Sequence, residues 1–171
     1  TTADYNVGVG YNSLNGNTTG ANNTAVGSNS LRTNTTASDN TAVGFCALAK
    51  NTTATGNTAI GKLALEDTTT GANNTAVGRN SNLCNTTGAG NTSLGSGTFN
   101  RNTTGSNNVA IGLNAGYLNT SASSNTAVGM SALKDNSTGA ENVAVGTSAL
   151  ENNTTAAANT AVGANTLFTN T

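Results

Sequence analysis

Asn40-Thr41-Ala42-Val43-Gly44 decides the reading, because nearly the same five residues return every seventeen positions along the chain. Its glycine marks the period without insertion or deletion, at Gly10, Gly27, Gly44, Gly61, Gly78, Gly95, Gly112, Gly129, Gly146 and Gly163. A fixed short period is the mark of stacked repeats rather than of a single globular core.

Counting the opening Asn as position 0, Asn6, Asn23, Asn40, Asn57, Asn74, Asn91, Asn108, Asn125, Asn142 and Asn159 open ten equivalent coils with the consensus N-T-A-V-G-x-x-A-L-x-x-N-T-T-G-A-N. Position 1 is Thr or Val and position 3 is Val, Ile or Leu, whereas position 2 is Ala in eight copies, with Gly8 and Ser93 in the others. Strand alternation separates position 2 from its neighbours. The β-branched pair is expected inside and the Ala outside. On that reading Ala25, Ala42, Ala59, Ala76, Ala110, Ala127, Ala144 and Ala161 form a flat stripe for self-association.

Position 8 is the second inward anchor: Leu14, Leu31, Leu48, Leu65, Leu133, Leu150 and Leu167, with Phe99 once. Asn82 and Gly116 break it, and Leu83 and Tyr117 follow one residue later. A local bulge is expected to carry those two side chains inside.

Charges test the map independently. Lys62 and Arg79 fall at position 5, Arg32, Lys134, Glu66 and Glu151 at position 9, and Lys50, Arg101, Asp67 and Asp135 at position 10. Asp4, Asp39 and Glu141 lie at the closing corner. Charge-bearing corners thus divide each coil into three charge-free segments, N-T-A-V, the residues around A-L, and N-T-T, which read as short strands. Gly at position 4 and Gly or Ala at position 14 suit the bends. A helix is excluded, since Asn, Thr and Gly are poor helix formers and no apolar stripe persists at helical spacing.

These features specify an all-β chain, a single parallel β-solenoid (β-roll or β-helix) domain over residues 1–171 built from ten 17-residue coils. Equivalent residues stack about 4.8 Å apart. Lys50 then neighbours Asp67, Lys134 neighbours Glu151, and Lys62 lies unfavourably beside Arg79. Two large inward side chains per coil do not offset the entropy of ordering the coil. Stacked amides, hydroxyls and contact with another chain are expected to contribute the rest. Thr1-Thr2 and Asn170-Thr171 show no evident cap, so end-to-end pairing is expected as well. A start at Thr1 fits a processed secreted chain or a piece of a longer array.

Composition narrows the function. Charged residues are 8%, aromatics 4% and the net charge is −1, so no basic surface tracks a nucleic acid. No apolar run reaches the roughly 18–20 residues of a membrane span. Cys46 and Cys84 lie two coils apart at different positions, too far for a disulfide. His is absent, no Asp recurs with calcium-repeat spacing, and no carboxylates face each other, so no metal, cofactor or catalytic residue is expected and no enzyme activity. Gly56-Asn57-Thr58-Ala59-Ile60-Gly61-Lys62 has phosphate-loop spacing, but Leu63 stands where the magnesium-binding hydroxyl belongs and both glycines belong to the repeat.

Asn17, Asn34, Asn51, Asn85, Asn102, Asn119, Asn136 and Asn153 each precede Thr or Ser by two residues, as do Asn22, Asn73 and Asn91. They read as structural amide ladders or as glycan attachment sites. Regular outward Thr or Asn rows would also suit ice binding, although the expected inward position-1 Thr counts against it.

The N-T-A-V-G segments and Asn108-Val109-Ala110-Ile111-Gly112 resemble the head-domain repeats of trimeric autotransporter adhesins, and the N-T-A-I-G repeats of bacterial and phage tail-fibre-like proteins. The resemblance spans the chain, although the adhesin repeat is shorter. It implies an extracellular or cell-surface structural fibre, a homo-oligomer as trimer or filament, with adhesion to a cell-surface ligand as the alternative.

Overall fold

The computed structural model describes residues 3–170; Thr1, Thr2 and Thr171, and the reading of the chain ends that rests on them, lie outside the described residues. Ten three-residue strands recur at the repeat period: β1 (Val7–Val9), β2 (Thr24–Val26), β3 (Thr41–Val43), β4 (Thr58–Ile60), β5 (Thr75–Val77), β6 (Thr92–Leu94), β7 (Val109–Ile111), β8 (Thr126–Val128), β9 (Val143–Val145) and β10 (Thr160–Val162). They form one parallel sheet in chain order. Register is preserved coil to coil, Ala42 opposite Ala25 on one side and Ala59 on the other. The chain is a β-solenoid. No helix occurs among the described residues, so none is long and apolar enough to cross a membrane.

Only one segment per coil is a regular strand. The A-L and N-T-T segments, expected as strands, are instead chains of turns whose backbones still bond to the neighbouring coils. Leu48 N–H donates to Ala64 O at 3.0 Å, and Thr35 N–H donates to Thr52 O at 3.1 Å. In the A-L segment the reason is local: residues at positions 6 and 8 adopt left-handed backbone conformations, including Cys46 (φ 54) and Leu48 (φ 50), and position 16 beyond N-T-T does the same, as at Asp39 (φ 63). Such a conformation interrupts a pleated strand. Gly at position 4 adds a corner at φ near 130, as at Gly44 (φ 136). A Cβ there would lie 2.5 Å from the Gly61 carbonyl oxygen, so only glycine permits the next coil to approach.

The core reverses the orientation expected of the motif. Ala25, Ala42, Ala59, Ala76, Ala110, Ala127 and Ala144 are wholly buried and Ala161 nearly so, while the residues on either side of each lie at the surface. The physical reason is width. At Gly8 a Cβ would sit 3.6 Å from both the carbonyl oxygen and Oγ of Ser13, and 3.7 Å from Leu14 Cδ1. One carbon fills the space across the coil and a branched side chain exceeds it. Core residues are therefore the position-2 Ala, the position-7 Ala such as Ala47 and Ala64, and the position-8 Leu. Thr and Val are used for their strand preference, packing in rows along the outer face.

Nor does the position-8 row bulge. Asn82 and Gly116 keep their inward places, both buried, while Leu83 and Tyr117 stay half-buried at the corner. Phe99, wholly inside, occupies the volume that Gly116 leaves, because a Cβ on Gly116 would overlap the Phe99 ring.

Candidate functional site

Two internal Asn ladders hold the rod together. At position 0 each amide oxygen accepts the backbone N–H of the next Asn, with Asn40 N–H to Asn23 Oδ1 at 3.0 Å and Asn57 N–H to Asn40 Oδ1 at 2.9 Å. The same side chain closes its own coil, Asn40 Nδ2 donating to Ala54 O at 3.0 Å. At position 11 amides donate to amides: Asn34 Nδ2 to Asn17 Oδ1 at 2.9 Å, Asn51 to Asn34 at 3.0 Å, and Asn119 to Asn102 at 3.0 Å. Thr at position 12 adds a hydroxyl row, with Thr35 Oγ1 donating to Thr52 O at 3.0 Å.

The position-11 ladder settles where the sequon residues lie. Asn34, Asn51, Asn85, Asn102, Asn119, Asn136 and Asn153 are buried. Their Nδ2 groups donate inside the rod, as Asn85 does to Gly88 O at 2.9 Å and Asn136 and Asn153 do to Gly139 O and Ala156 O. Asn17 is half-buried with its Nδ2 on Gly20 O at 2.9 Å. At these eight positions the side chains form the structural ladder and the folded rod presents no free amide, whereas Asn22 and Asn73 are exposed. Sequence could not decide this, because a sequon and a stacked Asn-x-Thr are the same letters.

The self-association stripe assigned to Ala25, Ala42, Ala59, Ala76, Ala110, Ala127, Ala144 and Ala161 is likewise corrected, since these residues are core. In their place the sheet turns outward two rows: position 1 (Val7, Thr24, Thr41, Thr58, Thr75, Thr92, Val109, Thr126, Val143, Thr160) and position 3 (Val9, Val26, Val43, Ile60, Val77, Leu94, Ile111, Val128, Val145, Val162). Neither contains a charge. Ile60, Leu94, Ile111 and Val145 are 37–41% exposed. The adjoining corner row at position 5 adds Tyr11, Phe45, Leu113 and Met130, all about half exposed or more. Among the described residues, eleven of the fifteen exposed large apolar side chains thus fall on positions 1, 3 and 5. The signal available in the sequence was size: position 2 never exceeds Ser, a tighter restriction than the β-branched shape of its neighbours.

Ion pairs lie at the corners as the coil map predicts. Lys50 Nζ is 2.6 Å from Asp67 Oδ1 and Lys134 Nζ is 3.3 Å from Glu151 Oε1. Lys62, beside Arg79, rests over the Phe45 ring at 5.9 Å. Cys46 and Cys84 are free, and burial pushes both thiols up, which keeps them protonated near neutral pH and removes the case for an activated thiolate. Gly56–Lys62 wraps a corner and β4, with no helix following to receive a phosphate. An open groove of about 380 Å³ runs beside the position-5 corner, bounded by Arg79, Asn80, Asn100, Tyr117 and Lys134.

No family model, curated protein or solved structure matches the chain.

Proposed function

We propose that this chain is a structural unit of an extracellular fibre, associating with copies of itself side by side. The observation that carries this reading is the uncharged outer face of positions 1 and 3, continuous along all ten strands. Its position-3 row is apolar in every coil, and an uncharged face carrying such a row suits contact with another chain. The buried amide ladders give a rod whose shape does not depend on exposed ion pairs, which each contribute under about 1 kcal/mol. Sedimentation and electron microscopy test the proposal: rods paired or bundled laterally are expected, and association is lost in a Val77→Lys/Ile111→Lys variant whose melting temperature is unchanged. Single rods at every concentration overturn it.

A second reading, ice binding, gains from the outward position-1 Thr, whose hydroxyls repeat about every 4.8 Å along the sheet. The uneven side chains of the position-5 corner and the apolar position-3 row favour protein contact instead. Thermal hysteresis and ice shaping decide: their presence supports ice binding, and their absence removes it. The adhesive alternative is supported by the groove at Tyr117 and Arg79, where aromatic and polar groups meet. Binding to immobilised glycans that is lost in Tyr117→Ala would favour it.

A further inference from the structure

We infer that the outer face takes a second copy of this chain face to face with the two rods antiparallel, in one register set by the position-5 corner. The inference rests on the self-association proposed above and adds its geometry.

The area is sufficient. Positions 1 to 3 across ten coils cover about 10 Å by about 48 Å, or roughly 480 Å² per partner at ordinary strand dimensions, and the exposed position-5 side chains at the corner widen it. With the corner side chains included, the contact reaches the roughly 1,000 Å² total at which specific interfaces begin, below the standard size.

Two-fold symmetry leaves two face-to-face arrangements. With the axis along the rods, position 5 of one copy meets position 1 of the other, and the long apolar side chains of Phe45, Leu113 and Met130 fall opposite Thr and Val. With the axis along the strands the rods run antiparallel, position 3 meets position 3, and position 5 meets position 5. Only this arrangement sets the exposed apolar corner residues against one another.

Charge then selects the register. The corner row carries two cations, Lys62 in the coil opened by Asn57 and Arg79 in the coil opened by Asn74, and no acid. Both are exposed. Placing Arg79 opposite its own copy, Lys62 opposite Arg79, or Lys62 opposite its own copy brings like charges together across the contact, which is unfavourable. The next register in the same series is free of this clash. It sets Arg79 opposite Ser96, Lys62 opposite Leu113 and Phe45 opposite Met130. The Lys62 stem then lies on an apolar neighbour while its ammonium reaches solvent, and the methionine sulfur meets an aromatic ring. At the other edge Asp39, just before the Phe45 coil's strand, falls opposite Ser124, and Glu141 falls opposite Asn22, again without a like-charge pair. One coil further, Phe45 moves onto Thr147 and the apolar match is lost.

Disulfide trapping tests this in a Cys46→Ser/Cys84→Ser background, using Phe45→Cys, Met130→Cys and Thr41→Cys as separate single-thiol chains. Residues 45 and 130 are five coils apart, about 24 Å at strand spacing, so any bond between them joins two copies. Mixing the Phe45→Cys and Met130→Cys chains is expected to give the mixed disulfide as the main dimeric product, with little from Phe45→Cys alone. A dominant Phe45→Cys to Thr41→Cys product identifies parallel rods and overturns the geometry. Dimers in sedimentation without any of these disulfides place the contact on another face and overturn the geometry while leaving self-association standing. Monomers throughout overturn both.

Discussion

Thr68 interrupts the position-11 ladder. It is wholly buried, its Oγ1 has no partner, and neither has Asn51 Oδ1 in the coil before it, the oxygen that an amide at residue 68 would bond. Thr68→Asn is therefore expected to raise unfolding free energy by about 1–2 kcal/mol in chemical denaturation, the scale of recovering buried hydrogen bonds. Asn82 is the complementary case, a buried amide at a Leu position with both Nδ2 and Oδ1 unpartnered. Asn82→Leu is expected to stabilise by about 2–3 kcal/mol, from relief of the unpaired amide together with apolar burial. Gly44→Ala goes the other way. Its positive φ and the nearby Gly61 carbonyl predict a loss of at least about 2 kcal/mol in the same measurement.

At the scale of the coil, Phe99 and Gly116 form a large-with-small pair in adjacent coils. Gly116→Leu alone is expected to destabilise by overpacking, and Phe99→Leu alone by leaving a cavity. Together they restore the Leu-on-Leu stacking of the other coils, with a coupling energy of at least about 1 kcal/mol in a double-mutant cycle. The coil was legible in the sequence wherever period alone carried the information. The glycine spacing gave the stacking, and the corner charges gave the Lys50–Asp67 and Lys134–Glu151 contacts. Facing was not legible from alternation, which says which residues share a side and leaves open which side is narrow; only the size limit at position 2 pointed to it. Ala42 could have faced outward in a wide coil; the single-carbon gap beside Gly8 is a property of the closed turn, which depends on the left-handed residues at positions 6 and 8. The strand count failed for the same reason: Leu48 at φ 50 gives no warning in a sequence, since bulky residues rarely adopt that conformation.

Across the whole molecule, apolar packing is continuous within two clusters, one running from Ala25 to Ala76 and one from Phe99 to Ala161. Between them lies a polar layer in which Ser81 Oγ and Thr98 Oγ1 are 2.8 Å apart and Asn82 and Ser93 keep unpartnered groups. A solenoid gains stability from nearest-neighbour interfaces, so this layer is its weak joint. Hydrogen exchange is expected to show lower protection in β6 than in β3 or β8, and Asn82→Leu/Ser93→Ala is expected to remove the difference. The sequence contained those polar residues, yet their meaning depended on knowing that positions 2 and 8 meet inside.

The repeated motif buries its Ala and presents its Thr and Val. Single cysteines at residues 41, 42 and 43, in the Cys46→Ser/Cys84→Ser background, measure this through the rate of maleimide labelling of dilute native chain. Thr41→Cys and Val43→Cys are predicted to label near the rate of an exposed thiol, and Ala42→Cys at least about 100-fold more slowly until denaturant is added, the protection set by local opening. Fast labelling at residue 42 with protection at 41 and 43 would put the Ala outside and the β-branched pair in the core.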